Sequence, residues 1–221
     1  MYKKEMYHLT IALSQFLKCY PQNLEKIRSL IDHWRDTYTD IRTSHNVESC
    51  VFKFMEMVDK EVKDHLKLKR KDIKMHGGIK CEKRCYYCCE QVVYVSLDEA
   101  KMINSVSKHY NEQLDWNMIE RQSRIPEGDW NNQQRSDWPC VLLAKDKTCK
   151  LYKYRPLICR THMSVLHPSK CNIETGKNKL QIIALPTTEA ITSGLWNAVN
   201  DVASLPKQLM KIKEVECNER L

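Results

Sequence analysis

Eight cysteines between residues 81 and 171 are the side chains whose type and spacing point most directly to chemistry. The first four pack four sulfurs into nine residues, a density that packing in a regular helix or strand does not produce. Thiolates gathered in this way are typical of zinc sites and iron–sulfur clusters. The predicted metal ligands are Cys81, Cys85, Cys88, Cys89, Cys140, Cys149, Cys159 and Cys171.

The sequence leaves open how these sulfurs are shared and which metal they hold. They could form two four-sulfur sites, or one cluster with three or four ligands and the remaining thiols buried. Structural zinc sites usually combine two closely spaced cysteine pairs, whereas the second group, which begins at Cys140, has 8, 9 and 11 residues between successive cysteines. This spacing favours an iron–sulfur cluster, of the 4Fe–4S type, over zinc. Outside the group, Cys19, Cys50 and Cys217 are predicted to be buried helix residues.

Two arginines lie among the predicted ligands. Arg155 and Arg160 would offset the negative charge of a sulfur-rich centre, and we predict that they contact the cofactor. The alternative for Arg155 is a purely structural contact within its loop. His162 and His167 could replace a cysteine as ligands, although an ordinary surface or hydrogen-bonded histidine is the simpler interpretation.

Composition narrows the class of protein. The chain has 221 residues, a net charge of +8 and only 5 glycines, too few for the turns of a Rossmann sheet or a barrel. No apolar run of about 18 residues exists, and no signal peptide is evident, so we expect neither a membrane span nor secretion. In a reducing cytoplasm, clustered cysteines bind metal more often than they form disulfides. The class expected is therefore a cytoplasmic metal-binding protein.

The elements that position the cysteines are mostly α-helices, with at most short strands. We expect one domain over residues 1–221, with a helical N-terminal arm (1–76), a cysteine-rich metal-binding core (77–178) and a C-terminal helical segment (179–221). Helices are predicted to end near Cys19, to cover 22–38, to begin near Asn46, and to follow a capping box formed by Ser96 and Glu99. Residues 92–95 and 180–185 are predicted to form short strands. A helix capped by Thr187 or Thr188 is predicted to reach about Leu205, before a last helix that follows Pro206.

A basic segment precedes the first cysteine. Residues 60–84 contain ten Lys and Arg against four Asp and Glu, a net charge of +6. Phosphate neutralisation by such a segment would bind nucleic acid. Single-strand binders also place aromatic side chains among their basic residues to stack on bases, and none are interleaved in this segment. The sequence therefore favours a solvated helix face over a nucleic-acid site.

The stretch from residue 81 to residue 171 resembles the YkgJ-type cysteine-cluster family, described as a zinc- or iron-chelating domain. The resemblance rests on a two-part pattern that covers about 90 of the 221 residues. One departure is that Pro139 precedes Cys140, where the family commonly has a proline after that cysteine. The matching residues are Cys81, Cys85, Cys88, Cys89, Ser96, Glu99, Cys140, Cys149, Tyr152, Arg155, Pro156, Cys159, Arg160 and Cys171.

The resemblance implies metal chelation. Related cysteine domains occur in flagellin lysine N-methylases, so the resemblance allows an S-adenosylmethionine-dependent reaction on a protein substrate. The spacing of Cys81, Cys85 and Cys88 also matches that of radical S-adenosylmethionine enzymes, but the barrel that those enzymes need has no counterpart here. We therefore predict an iron–sulfur or zinc protein and leave enzymatic activity open. The alternative is a structural zinc module that presents its basic helix to nucleic acid or to a protein partner.

Overall fold

The fold was analysed in a computed structural model of the chain. The described residues are 7–75, 78–79, 81, 85–127, 129, 138–161, 163–164 and 186–219. Their helices are α1 (Ile11–Cys19), α2 (Leu24–Ser44), α3 (Val47–Leu68), α4 (Arg70–Met75), α5 (Leu97–His109), α6 (Trp116–Ser123), α7 (Leu157–Thr161), α8 (Pro186–Val199) and α9 (Leu205–Asn218). The strands are β1 (Tyr94–Ser96) and β2 (Val202–Ser204). The prediction of a mostly α protein with short strands is thus confirmed.

Local signals in the sequence set the starts of the N-terminal helices. The Thr10 side chain accepts a hydrogen bond from the backbone N–H of Leu13 and caps α1, which ends before Pro21. The Asn46 side chain accepts from the N–H of Ser49 and caps α3, as predicted. Helix α2 extends beyond its predicted end at residue 38 and reaches Ser44.

The prediction of one helix from residue 187 to about Leu205 is wrong. Helix α8 ends at Val199, where Asn200 adopts a left-handed conformation with φ of 52°. Asparagine tolerates this conformation better than most residues, so it can end a helix. The chain then forms β2, which pairs antiparallel with β1 and sets Val95 opposite Ala203. The predicted strand at 180–185 lies outside the described residues.

The main hydrophobic core lies between α3, α5, α8 and α9. Its largest fully buried side chains include Tyr38, Phe54 and Leu195, and the rings of Tyr38 and Phe54 meet edge to face, with centroids 4.8 Å apart. A smaller cluster forms around Leu13 and Ile31 at the N-terminal end. None of the helices within the described ranges combines the length and the apolar character that crossing a membrane requires.

Helices α2 and α8 approach each other closely at Gly194. A Cβ atom added at Gly194 would lie 2.4 Å from the Cβ of Trp34 and 2.9 Å from the backbone nitrogen of Arg35. We expect Gly194→Ala to lower the free energy of unfolding by about 2 kcal/mol, because overpacking forces the two helices apart. Urea denaturation measures the change, with Glu214→Ala on the exposed face of α9 as the control. Equal stability of the two variants would contradict this close approach.

Candidate metal centre

Cys140 and Cys149 lie on the two sides of a tight hairpin. The N–H of Ala144 donates to the carbonyl of Thr148 at 2.8 Å, and the Asp146 side chain accepts from the N–H of Thr148 at 3.1 Å. The N–H of residue 150 donates to the carbonyl of residue 142 at 2.8 Å and closes the hairpin. Two cysteines separated by eight residues in the sequence are thereby placed on facing backbone segments.

Cys88 and Cys89 lie in a 3₁₀ turn, Tyr87–Glu90, against which the hairpin packs. The N–H of Cys140 donates to the carbonyl of Cys89 at 2.6 Å, which joins the turn directly to the first residue of the hairpin pair. The thiols of Cys88 and Cys89 also hydrogen-bond each other. The two thiols lie close enough for each to shift the pKa of the other.

Cys159 comes from a third element, the short helix α7. The backbone N–H of Leu157, at the start of α7, donates to Glu99 Oε1 at 3.0 Å. The N–H of Cys159 donates to the carbonyl of Pro156 at 3.0 Å. The position of Cys159 is therefore tied to helix α5 through a buried carboxylate.

The five thiols of these elements lie close enough to act on one another electrostatically. Burial raises the pKa of the Cys140 thiol to about 12, and burial likewise raises the pKa of Cys149 and of Cys159. The hydrogen bond with Cys89 lowers the pKa of Cys88 to about 7, and the same bond raises that of Cys89. Neighbouring sulfurs raise the pKa of Cys89, Cys140, Cys149 and Cys159 further. Deprotonating several of these thiols together needs a compensating cation, which is what a bound metal provides.

Backbone donors and one guanidinium already favour the thiolate forms. The N–H of Leu142 hydrogen-bonds the sulfur of Cys140, and the N–H of Leu151 bonds that of Cys149 in the same way, two residues further along in each case. The positive charge of Arg155 lowers the pKa of Cys88, Cys149 and Cys159 alike. Hydrogen bonds to sulfur and nearby charge are the means by which proteins tune thiolate-bound metals.

The two arginines predicted to contact the cofactor differ in their surroundings. Arg155 lies near the sulfurs and stacks on the ring of Tyr152, 4.3 Å from its centroid. Arg160 is buried, and its guanidinium donates to Asp59 on α3 at 2.5 Å and to the carbonyl of Lys153 at 2.5 Å. The structure thus gives Arg160 a role in joining α7 to α3, and the predicted contact with a cofactor stays a prediction for both arginines.

The remaining predicted ligands lie at the edge of the described residues or outside them. Cys81 is exposed, and its sulfur accepts a hydrogen bond from the N–H of Ser164 at 3.2 Å, just beyond α7. Cys85 is half-buried and lies near Tyr87. Cys171, His162 and His167 lie outside the described residues. Within the part of the chain that the structure describes, no three Cys, His, Asp or Glu side chains already have the geometry of a metal site.

Of the three cysteines outside the cluster, one is buried and two are exposed. Cys50 is fully buried in α3, as predicted, whereas Cys19 and Cys217 are exposed, so the prediction that they are buried is wrong. Both lie near the C-terminal end of a helix, in α1 and α9 respectively, where the last turn projects beyond the core.

Glu99 is the positioning residue whose main contacts the sequence did not reveal. The sequence identified it as part of a capping box, and the structure confirms that box, with the N–H of Ser96 donating to Oε2 at 2.9 Å. The same carboxylate also accepts from the indole of Trp196 on α8 at 3.0 Å and from the N–H of Leu157. Burial raises the pKa of Glu99, and these donors oppose the rise. One carboxylate therefore joins α5, α7 and α8 behind the cysteines.

Glu189 forms a second buried link behind α7. It is on α8, where burial raises its pKa and the nearby hydroxyls of Thr10 and Thr161 oppose the rise. Because the folded chain holds the proton more tightly than the unfolded chain, the contribution of Glu189 to stability falls as pH rises from the unfolded pKa towards the folded one. We expect Glu189→Gln to remove this fall, so the stability of the variant relative to wild type increases between pH 4.5 and neutrality.

Urea denaturation of both proteins across this pH range measures that difference. Measuring both proteins after removal of metal by chelation keeps the pH dependence of metal binding out of the comparison. A difference that stays constant with pH would show that Glu189 does not titrate differently on folding.

The geometry defines a class: a helical protein in which a turn, a hairpin and a short helix bring thiols together. Residues 80–187 match the family model described as "Putative zinc- or iron-chelating domain", whose cysteine signature is CxxCxxCC. This confirms the resemblance that the cysteine pattern predicted, over a segment that makes up slightly less than half of the chain. The match supports metal binding through the cysteines, with zinc or iron as the metal.

A curated relative extends the comparison. The chain is 30% identical over 95 residues to the uncharacterized protein MJ0661 of Methanocaldococcus jannaschii, an alignment that covers 42% of this chain and 47% of the relative. The chain therefore matches about half the length of that relative. No solved structure matches the chain.

Proposed function

We propose that this protein holds an iron–sulfur cluster, of the 4Fe–4S type, through its clustered cysteines. The observation that carries the proposal is that four thiols from three separate elements interact electrostatically with Cys88, and that the charge of Arg155 acts on three of the five. The thiols come from the turn (Cys88 and Cys89), the hairpin (Cys140 and Cys149) and α7 (Cys159). Soft sulfur donors without described oxygen ligands suit iron–sulfur clusters and zinc rather than magnesium or calcium.

The spacing and surroundings of the thiols support iron over zinc. A zinc ion and a 4Fe–4S cluster each take about four thiolates, so their number does not separate the two metals. The group that begins at Cys140 lacks the closely spaced cysteine pair that structural zinc sites usually have. Backbone N–H donors to the sulfurs and a neighbouring guanidinium are features that set the reduction potential of an iron–sulfur cluster. A structural zinc site gains less from such tuning, because zinc has no redox chemistry.

Anaerobic purification tests the proposal, with visible absorption and elemental analysis on one sample. We expect a brown protein with iron and sulfide each near about four per chain, the content of a cubane cluster. A colourless protein with one or two zinc ions would overturn the iron assignment and favour the alternative, a structural zinc module. Absence of both metals from protein purified under these conditions would contradict metal binding itself.

The proposal extends to S-adenosylmethionine as a second cofactor. A cluster with fewer than four protein ligands leaves one iron open to it, and the reaction would be redox chemistry or methyl transfer to a protein substrate. Addition of S-adenosylmethionine to the reduced protein is expected to change the electron paramagnetic resonance spectrum of the cluster. An unchanged spectrum would contradict this extension and leave the cluster itself unaffected.

The cellular setting proposed is the reducing cytoplasm. The ten cysteines in the described ranges all carry free thiols, including the adjacent Cys88 and Cys89. Reduced thiols are the form that a metal requires, and cytosolic glutathione and thioredoxin maintain them.

A further inference from the structure

The basic segment that precedes the cysteines forms a helical arm outside the core. The last buried residue of α3 is Val58, and none of the described side chains from residue 59 to residue 75 is buried. The backbone hydrogen bonds of the helix continue through the junction of α3 and α4, since Lys69 donates to His65 and Ile73 donates to Lys69, both at 2.9 Å. Residues 60–75, the basic arm, therefore extend as one nearly continuous helix.

Six cations of the basic arm share one face. At 3.6 residues per turn they fall within an arc of about 100°, and the stripe extends about 21 Å along the helix axis. All six residues are exposed. They are Lys60, Lys63, Lys67, Arg70, Lys71 and Lys74. This alignment is visible only once the helix is known to continue past Leu68.

We infer that this stripe is a docking surface for double-stranded nucleic acid, which it binds through the phosphate backbone. Neighbouring cations on one helix face are about 5–6 Å apart, a spacing comparable with that of successive phosphates along a strand. Lysine is a point charge that neutralises phosphate, and Arg70 is the stripe's one guanidinium able to read a base edge with two bonds. The expected binding is therefore insensitive to sequence and sensitive to salt.

Two observations favour a duplex over other polyanions. The basic arm contains no Phe, Tyr or Trp, and single-strand binders depend on aromatic rings that stack on bases. The arm also exposes Leu68 and Met75, at 84% and 76%, but their face of the helix carries the carboxylates of Glu61 and Asp64. Carboxylates beside the apolar residues oppose insertion into an anionic lipid surface.

The test compares two triple variants of the full, metal-loaded chain with wild type. The stripe variant is Lys63→Gln, Arg70→Gln and Lys74→Gln, which avoids the ion pair between Lys67 and Asp64. The control is Lys18→Gln, Lys26→Gln and Lys101→Gln, three exposed lysines on α1, α2 and α5. Both variants lose the same net charge, so their difference isolates the position of the charge. The probes are fluorescent duplex DNA and duplex RNA of one sequence, of about 20 base pairs, which exceeds the length of the stripe at 3.4 Å per pair.

Fluorescence anisotropy at several salt concentrations gives the affinity and its salt dependence. For wild type we expect log K to fall with log salt with a slope near −5, and for the stripe variant a slope smaller by about 3 and an affinity lower by at least tenfold at low salt. The control should keep the wild-type slope. Preference for one of the two duplexes would identify which nucleic acid the arm takes.

Three outcomes would overturn the inference. One is the absence of wild-type binding to either duplex at low salt. Another is an equal loss in the stripe and control variants, which would show that only net charge matters. The third is tighter stripe-dependent binding to single-stranded oligonucleotide or to phosphatidylserine vesicles than to either duplex. None of these measurements depends on which metal the cysteines hold, so failure here is distinguishable from failure of the proposed cluster.

Discussion

Replacing Cys159 with serine is expected to remove most of the metal from the protein. Cys159 is the one described cysteine that α7 contributes, and three neighbouring thiols as well as Arg155 act on its charge. Serine keeps the shape but is a poor ligand for a soft metal. Loss of partners outside the ligand shell already costs about 10–100-fold in metal affinity, so loss of a ligand should cost more than 100-fold. Metal content per chain after anaerobic purification measures the effect.

Two further variants define the limits of this prediction. Cys217→Ser, on the exposed end of α9, should keep the wild-type metal content. Cys85→Ser tests whether the first cysteines belong to the same centre, and the eight-ligand prediction requires it to lose metal. Equal metal content in all three variants would contradict the ligand assignment, and loss in Cys159→Ser alone would remove Cys85 from the predicted ligands.

The sequence predicted the fold where local signals were sufficient. Asn46 and the box of Ser96 and Glu99 mark helix starts through side chains that bond nearby backbone, so their effect can be read within four residues. The strand β2 could not be predicted in this way. Its three residues have no alternation to detect, and it forms because β1, more than 100 residues earlier, offers backbone partners.

The same distinction holds for the candidate site: the sequence identified its cysteines but not the contacts that position them. Clustering in the sequence identified the cysteines, since free thiols at that density in a reducing compartment usually bind metal. The different surroundings of Arg155 and Arg160 could not be predicted, because the positive charge of either arginine could offset that of the thiolates. Only the packing of α7 on α3 brings Arg160 to Asp59. The contacts of Glu99 with Leu157 and Trp196 likewise join residues 58 and 97 positions apart.

Glu99→Gln is expected to destabilise the whole protein and to lower its metal content as a consequence. The Glu99 carboxylate is fully buried and accepts from the backbone of Ser96, the backbone of Leu157 and the indole of Trp196. A glutamine of the same shape brings an amide NH₂ towards these donors, and at least one buried donor loses its acceptor. Each buried donor left unsatisfied costs about 1–3 kcal/mol, so we expect a loss of about 3 kcal/mol in the free energy of unfolding.

Urea denaturation of wild type and variant, each with metal and after its removal by chelation, separates this effect from that of the cysteines. Glu120→Gln, whose exposed pair with Arg124 is worth little, is the control. Glu99→Gln should be less stable than wild type in both forms, because its contacts hold α7 to α5 and α8 whether or not metal is bound. Cys159→Ser should differ from wild type mainly in the metal-loaded comparison. If Glu99→Gln unfolded at the wild-type urea concentration after chelation, Glu99 would not be what positions α7, and the placement of Cys159 would have to come from the buried contacts of Arg160 instead.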